Sequence, residues 1–278
     1  MPTSPSPRRA VRPPPGPAAA PARRSWPFFL LIFVLAVLAV AISALPASMV
    51  GRLLPAALHA EDFSGTVWHG SAGRITLATR DAGALEWRLQ PQALLKLGVA
   101  AELHWVKGGF VLDGTAEWSR QQLRLSQLDG GGPIGDLRDF GVAPGWRGSA
   151  AIHMPELTAV ITASGPEIRS ALGDISVSNL SSPQVAAGAD LGGYTLHLSD
   201  AAIAPDGELS GELSDSGGPL ELAASLHFSA RERRGLLSGA VRERADAPAA
   251  LHAQLDQLAQ LHARDPQGRI PVDLEFTL

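Results

Sequence analysis

The sequence contains no cysteine and only two lysines, Lys96 and Lys107, among 278 residues. The absence of cysteine excludes a disulfide scaffold, an iron–sulfur cluster and every zinc site built on thiolates. No Gly-x-x-x-x-Gly-Lys-Ser/Thr loop is present, which disfavours nucleotide hydrolysis. Charged residues are also sparse, at 18% against 45% hydrophobic residues, and this composition is too apolar for a disordered chain.

Charge is distributed unevenly along the chain. Residues 1–24 contain five arginines, no acidic residue and eight of the 22 prolines, and we expect this tail to be disordered. The remaining residues hold 18 basic and 27 acidic side chains and therefore carry a net charge of −9. An acidic body of this kind disfavours a nucleic-acid partner.

One long uncharged run follows the arginine-rich tail. Residues 25–51 contain no charged side chain, and every residue in 28–42 is Phe, Leu, Ile, Val or Ala. This length predicts a transmembrane helix over residues 25–46, because about 20 helical residues span a hydrocarbon core. A cleaved signal peptide is the less favoured alternative, since its apolar region has only about 7–15 residues. Five arginines before the run and Arg52 alone just after it predict a cytoplasmic N-terminus, with residues 47–278 across the membrane.

Beyond residue 60, apolar and polar residues alternate with a period of two. The longest alternation, in 270–278, places five apolar residues on one face of a strand, and Pro271 restricts that strand to a sheet edge or makes the proline its start. The pattern predicts a mainly β domain after the transmembrane helix, with an antiparallel sheet that is curled or partly closed and one or two short helices. The other strand-like runs are 85–89, 99–105, 110–118, 123–128, 175–177, 194–198, 209–213, 220–228 and 236–241.

Two segments have helical spacing instead. Asp246 is a candidate N-cap with Pro248 in the first turn, and a single apolar stripe follows at Leu251, Leu255, Leu258 and Leu261. A shorter helix is expected over 91–97. Five tryptophans within 68–146 favour core packing over a ligand platform, because large rings at alternating strand positions are usually buried.

The segment Asp215-Ser216-Gly217-Gly218-Pro219-Leu220 resembles the nucleophile segment of chymotrypsin-type serine proteases. None of the eight histidines lies in the sequence context that such an enzyme requires, so a turn between two strands is the preferred interpretation. The histidine spacing includes no His-Glu-x-x-His string and indicates no metal site. We therefore expect no catalytic residue, no cofactor and no metal.

Two strings share the pattern Trp-x-Gly-Ser-Ala. They begin at Trp68 and Trp146, 78 residues apart. Duplication of two sheet halves would explain the repeat, and chance in a chain rich in Gly, Ala and Ser explains it equally well.

Several ordered strings together resemble the type II secretion system protein N (GspN) family. The apolar run leaves through Leu45-Pro46-Ala47, and Gly-Thr-Val-Trp-His-Gly-Ser-Ala follows at 65–72. Trp-Arg-Leu-Gln-Pro-Gln-Ala-Leu-Leu comes next at 87–95, and Gly268-Arg269 precede the last strand. The positions that carry the family motif are Gly65, Thr66, Trp68, Gly70, Ala72, Trp87, Pro91, Leu94, Leu95, Gly268 and Arg269.

The resemblance implies a non-catalytic, single-pass inner-membrane component with a periplasmic domain. Such a component assists export of folded periplasmic proteins across the outer membrane. Its implied partners are the inner-membrane platform proteins of that system and the outer-membrane secretin. A second interpretation is a membrane-anchored lipid-binding or lipid-transfer groove, because a tethered sheet with one apolar face also resembles AsmA-like proteins.

Overall fold

A computed structural model describes residues 33, 43–51, 58–77, 79–94, 98–162, 165–200, 203, 207–229, 232, 234–261 and 264–277. The predicted tail over 1–24 lies outside the described residues, as does the predicted membrane helix over 25–46 except for Phe33 and residues 43–46. Across the part of the chain that the structure describes, every helix falls short of the length and apolarity needed to cross a bilayer. Ser43–Leu278 forms one compact unit, to which the following description applies.

Thirteen strands form a single antiparallel sheet in which each strand pairs with its neighbours in sequence. They are β1 Leu58–Gly65, β2 His69–Leu77, β3 Arg80–Gln90, β4 Gly98–Lys107, β5 Phe110–Ser119, β6 Gln122–Pro133, β7 Arg147–Thr162, β8 Gly165–Ser181, β9 Tyr194–Asp200, β10 Leu209–Asp215, β11 Leu220–Ser229, β12 Arg234–Glu243 and β13 Ile270–Thr277. The prediction of a mainly β antiparallel fold is therefore confirmed. Among the described residues no pairing joins β1 to β13, so the sheet is not closed, and Pro271 does lie in an edge strand.

Helices are few and short. The helices are α1 Ser48–Gly51, α2 Pro91–Leu94 and α3 Ala249–Leu261, with 3₁₀ helices at Ile134–Phe140 and Ala186–Gly188. The predicted helix after Asp246 corresponds to α3, but α3 begins at Ala249, so Asp246 is not its N-cap and Pro248 directly precedes the helix. The predicted helix over 91–97 is described only as far as Leu94, because residues 95–97 lie outside the described part of the chain.

The strand register gives the sheet one apolar face and one polar face. Cross-strand partners on the apolar face include Leu196 with Leu213, Leu222 with Val241, and Leu237 with Leu274. Because side chains alternate between the two faces, the intervening residues form the polar face. Antiparallel sheets of this kind bury one face and expose the other to water.

The apolar face differs between its two ends. At the helix end, where Lys107 closes β4 and Phe110 opens β5, the 3₁₀ helix Ile134–Phe140 and α3 lie against the sheet. At the opposite end, which we call the open end, the turn of residues 66–68 joins β1 to β2. Deeply buried side chains at the helix end include Phe110, Ile134, Leu191, Leu251 and Ile270. A second buried cluster lies on β6, β7, β8 and β9 and consists of Leu128, Met154, Ala171 and Leu198.

Buried ion pairs also tie the helix end together. The Lys107 ammonium is 8% exposed and contacts Asp81 at 3.1 Å and Asp139 at 2.9 Å. Burial alone would lower the pKa of Lys107, but the hydrogen bonds that it donates to Asp139 and Asp81 outweigh this effect, and the pKa is raised. Arg244, which is 37% exposed, donates at 2.5 Å to Asp215, whose side chain is 10% exposed, so this nearly buried carboxylate is also paired.

Tryptophan burial follows the prediction only in part. Trp87 and Trp105 are half-buried, and their indole N–H groups donate to the carbonyls of Val67 and Ala82 at 2.8 and 2.6 Å. Trp118 contradicts the expectation, because 42% of it is exposed at the open end. Its neighbour across the strand pair, Val99, is 43% exposed.

The two Trp-x-Gly-Ser-Ala strings both precede a strand. Trp68 comes directly before β2, which runs from the open end, whereas Trp146 comes directly before β7, which runs from the helix end. The strings therefore enter the sheet at opposite ends and in opposite directions. The two strings also differ locally, because Gly148 has a φ of +145° whereas Gly70 has no positive φ, and this disfavours duplication of two sheet halves.

The contact of α3 with the sheet yields a stability prediction. Leu251 is 2% exposed and packs with Val241 and Ile270, so Leu251→Ala is expected to cost about 2–5 kcal/mol through a buried cavity. The midpoint of thermal unfolding of the full chain should fall accordingly. Gln257→Ala, on the exposed side of the same helix, is the control and should leave the midpoint unchanged; equal effects of the two changes would contradict the packing of α3.

Candidate functional site

The structure brings most of the motif residues together around the first hairpin. Trp87 lies on β3, next to the first hairpin. Five other motif residues lie in β1, β2 and the turn between them: Gly65, Thr66, Trp68, Gly70 and Ala72. The remaining motif positions fall elsewhere: Pro91 and Leu94 in α2 at the open end, Leu95 outside the described residues, and Gly268 and Arg269 before β13 at the helix end. The described motif residues thus form one cluster at the first hairpin and two pairs away from it, one in α2 and one before β13.

The turn of the first hairpin is fixed by Gly65 and Thr66. Gly65 has a φ of +79°, and a Cβ there would lie 2.3 Å from the carbonyl oxygen of His69, so no other residue fits without a shift. The Thr66 amide donates to the His69 carbonyl at 2.8 Å, and the His69 amide donates back to Thr66 Oγ1 at 3.2 Å. The hydroxyl and the backbone amide of Thr66 therefore both stabilise this turn.

Trp87 packs directly on this turn. A Cβ at Gly70 would lie 2.5 Å from Cζ2 of Trp87, which shows that the glycine makes room for the indole. The indole N–H donates to the Val67 carbonyl at 2.8 Å, and Phe63 packs against the ring edge-on with centroids 6.4 Å apart. Trp87 is thus the aromatic centre of the motif, whereas Trp68 is half-buried beside it.

The same turn binds the segment that follows the apolar run. The Val67 amide donates to the Leu45 carbonyl at 2.9 Å, and the Ala47 amide donates to the Gly65 carbonyl at 3.2 Å. Pro46 pairs with Thr66 as an isolated bridge, and Ala47 is 1% exposed. We call this arrangement, residues 45–47 held on residues 65–67, the entry clamp. The role of the entry clamp is structural, because its contacts are backbone hydrogen bonds and packing.

A second ordered feature crosses the polar face. In register, one position of each strand forms a continuous line that contains only acidic, histidine and serine side chains. We call it the acid–histidine row, and it consists of Ser64, Ser71, Glu86, His104, Asp113, Asp129, His153, Asp174, His197, Glu212, Ser225, Ser238 and Asp273. The sequence shows each member as a polar residue on a strand, but only the register shows that they align.

Each histidine of the row bonds to an aspartate on the next strand. His104 Nδ1 lies 2.6 Å from Asp113, His197 Nδ1 lies 2.7 Å from Asp174, and His153 contacts Asp129 in the same way. The Asp129 hydrogen bond, followed by its charge, raises the pKa of His153 above the ordinary 6.5. His197 is exposed on the polar face, and the sequence alone does not reveal its aspartate partner.

The protease-like segment forms the turn that was predicted for it. Asp215 ends β10 and Leu220 begins β11, so Ser216 lies in a hairpin connection. The Asp215 carboxylate accepts from Arg244 and from the Leu222 amide, and these bonds lower its pKa against the effect of burial. In the described part of the chain, no three His, Asp or Glu side chains are arranged to hold a metal ion.

Comparison with known proteins gives one match. The family described as type II secretion system (T2SS), protein N, matches residues 56–273, which is more than half of the chain. This span contains the first hairpin, Trp87 and the acid–histidine row. Curated proteins and solved structures gave no significant match.

The fit of Trp87 over Gly70 can be tested by one added methyl group. Gly70→Ala is expected to destabilise the chain by about 1–3 kcal/mol, because the new Cβ would also lie 2.6 Å from the Thr66 carbonyl oxygen. Thermal unfolding measures the effect. Gly135→Ala is the matched control, since a Cβ there meets nothing closer than 3.8 Å; a Gly70→Ala chain as stable as this control would contradict the close contact.

The acid–histidine row yields a pH prediction. In an NMR titration, the His153 imidazole should show a pKa above 6.5, and Asp129→Asn should return it towards that value. Because the folded pKa is raised, the pair stabilises the fold below pH 6.5, and this contribution disappears as the pH rises through the raised pKa. Asp273→Asn, at the far end of the row, should leave the His153 titration unchanged. A His153 pKa insensitive to Asp129→Asn would refute the pairing.

Proposed function

Because the chain belongs to the type II secretion system protein N family, we propose that it is a non-catalytic inner-membrane component of that system. In this role it assists the export of folded periplasmic proteins across the outer membrane. The observation that carries the proposal is the family match over residues 56–273, which covers all of the sheet except residues 274–277 of β13.

The proposed topology has one membrane-spanning helix within residues 25–46. The predicted end of this helix is corrected, because Ala44, Leu45 and Pro46 are not helical and Pro46 bridges to Thr66. The uninterrupted apolar residues of 28–42 support the helix, and the five arginines of residues 1–24 support a cytoplasmic N-terminus. Residues 47–278 are then the periplasmic domain. The entry clamp supports this arrangement, because it binds Leu45 and Ala47 to the sheet where the apolar run ends.

The hydrogen bonds of two carboxylates also agree with a structural role. The Asp215 carboxylate beside Ser216 bonds to Arg244, and the Asp129 carboxylate bonds to His153. Contact with other proteins is the proposed activity. The proposed partners are the inner-membrane platform proteins of the secretion system and the outer-membrane secretin.

Deletion of the gene tests the proposed role in secretion. Proteins that the system exports should accumulate in the periplasm of the deletion strain, and the wild-type chain should restore their release. A strain that secretes normally without the chain would overturn the proposal. Ser216→Ala serves as the control for a non-catalytic role, because the altered chain should restore secretion as fully as the wild type.

The topology has its own test. Alkaline phosphatase fused after Leu278 should be active, because this enzyme folds correctly only in the periplasm, whereas a fusion after Arg24 should be inactive. The opposite result would place the sheet in the cytoplasm and contradict the proposed orientation. Both fusions need the same expression level, measured by immunoblotting.

A further inference from the structure

The edge strand β13 offers a row of unpaired backbone groups. Among the described residues, β12 is the only strand that pairs with β13, so the outer side of β13 has no strand partner there. The pairing with β12 runs from Ile270 to Thr277 without a register shift. A regular edge strand of this kind is a template on which the strand of another chain can pair.

The other edge of the sheet, β1, is built differently. Asp62 has a φ of +57° and is skipped in the pairing of β1 with β2, and the entry clamp lies at the end of the same strand. An irregular residue in an edge strand hinders pairing with another chain. In β13, none of residues 272–277 has a positive φ, and Pro271 lies next to the strand start. The edge at β13 is therefore the one that suits an added strand.

The side chains of β13 indicate which strand would fit. On the apolar face, Leu274 is 55% exposed although Leu237 of β12 lies beside it. On the polar face, β13 carries two carboxylates, Asp273 and Glu275, and both residues are exposed. The middle of the edge therefore alternates acidic and apolar side chains.

The neighbouring strand β12 leaves these two charges in place. Ser238 Oγ donates to Asp273 at 2.6 Å, and a hydroxyl carries no charge that could neutralise the carboxylate. The cross-strand neighbour of Glu275 is Leu236, and the nearby Arg234 has Thr277 as its own cross-strand neighbour. The acidic charges of the edge are therefore available to a basic partner.

The same carboxylates disfavour a second copy of this chain at the edge. In an antiparallel pairing of two β13 strands that is centred on Leu274, Asp273 of one copy lies opposite Glu275 of the other. Centring the pairing on either acid places two identical carboxylates opposite each other. Like charges directly opposite across a strand pair destabilise it, whereas opposite charges stabilise it. The β1 strand of a second copy is no better, because it contains Glu61 and Asp62.

We propose that the outer edge of β13 pairs with an extended segment of another protein in which basic and apolar residues alternate. Backbone hydrogen bonds between the two strands continue the sheet. The basic side chains of the partner face Asp273 and Glu275, and an apolar side chain covers Leu274. This inference goes beyond the secretion role and does not depend on the membrane topology.

Binding of synthetic peptides to the full chain, purified in a non-ionic detergent, tests the pairing. The probe is a fluorescent peptide as long as β13 in which lysine alternates with valine, and the reference peptide has glutamate in place of lysine. Fluorescence anisotropy should show several-fold tighter binding of the lysine peptide. Glu275→Lys should weaken this binding several-fold. Glu212→Lys is the matched control, because Glu212 is an exposed acid on the polar face of the interior strand β10, and it should leave the binding unchanged.

Disulfide formation locates the bound peptide. The chain has no cysteine, so Leu274→Cys and Glu212→Cys each introduce a single thiol. A lysine–valine peptide with one cysteine at its centre should form a disulfide several-fold faster with Leu274→Cys than with Glu212→Cys. A peptide of the same sequence with every backbone amide N-methylated keeps its charge but has no donor for the strand pairing, and it should not bind.

Each other outcome overturns the proposal. Absence of binding removes the site, and equal weakening by Glu275→Lys and Glu212→Lys, or binding of the N-methylated peptide, would mean general attraction between charges. Equal disulfide formation at positions 274 and 212 would mean that the peptide does not lie on the edge. Rapid disulfide formation between two copies of the Leu274→Cys chain, before any peptide is added, would identify a second copy as the occupant.

The secretion assay separates this inference from the proposed function. Absence of peptide binding by a chain that still supports secretion removes only the edge site. Peptide binding by a chain whose deletion leaves secretion intact removes the secretion role and keeps the edge site.

Discussion

A single strand register shared by thirteen strands is the constraint on which the rest of the structure depends. Side chains alternate between the two faces, so a slip of one residue in any pair would move apolar residues to the polar face. The register holds from Ser64 on β1 to Asp273 on β13, because these two residues end one unbroken line of cross-strand partners. The same register that aligns the acid–histidine row therefore also assembles the apolar face behind it.

The sequence predicts the regular strands most clearly and misses two that bulges interrupt. Alternation reveals β11 and β13, because no register shift interrupts their pairing. It does not reveal β7, whose pairing with β8 shifts between His153 and Glu156, or β1, where Asp62 has a φ of 57°. A bulge inserts one residue and exchanges the faces beyond it, so a period of two cannot be followed across it.

The candidate site shows a similar division. The motif strings around Gly65 and Trp87 identify the first hairpin, since a turn that needs a positive φ and a ring that needs space leave clear signals in sequence. The acid–histidine row leaves none, because its members are far apart in the chain and become neighbours only through the register. Trp118 was wrongly expected in the core for a related reason: alternation assigns a residue to a face but does not tell whether another element covers that face.

Charged side chains have different surroundings at the two ends of the sheet, and this difference links the fold to the proposed function. At the helix end, the buried Lys107 is paired with Asp81 and Asp139, and the nearly buried Asp215 is paired with Arg244, so these charges are neutralised within the domain. At the open end, Arg120 is exposed in the turn after β5, and Arg234 is exposed at the start of β12. Exposed cations suit the polar interface of a bilayer. The entry clamp binds the end of the apolar run at this same end of the sheet, which agrees with the membrane anchor of the proposed function.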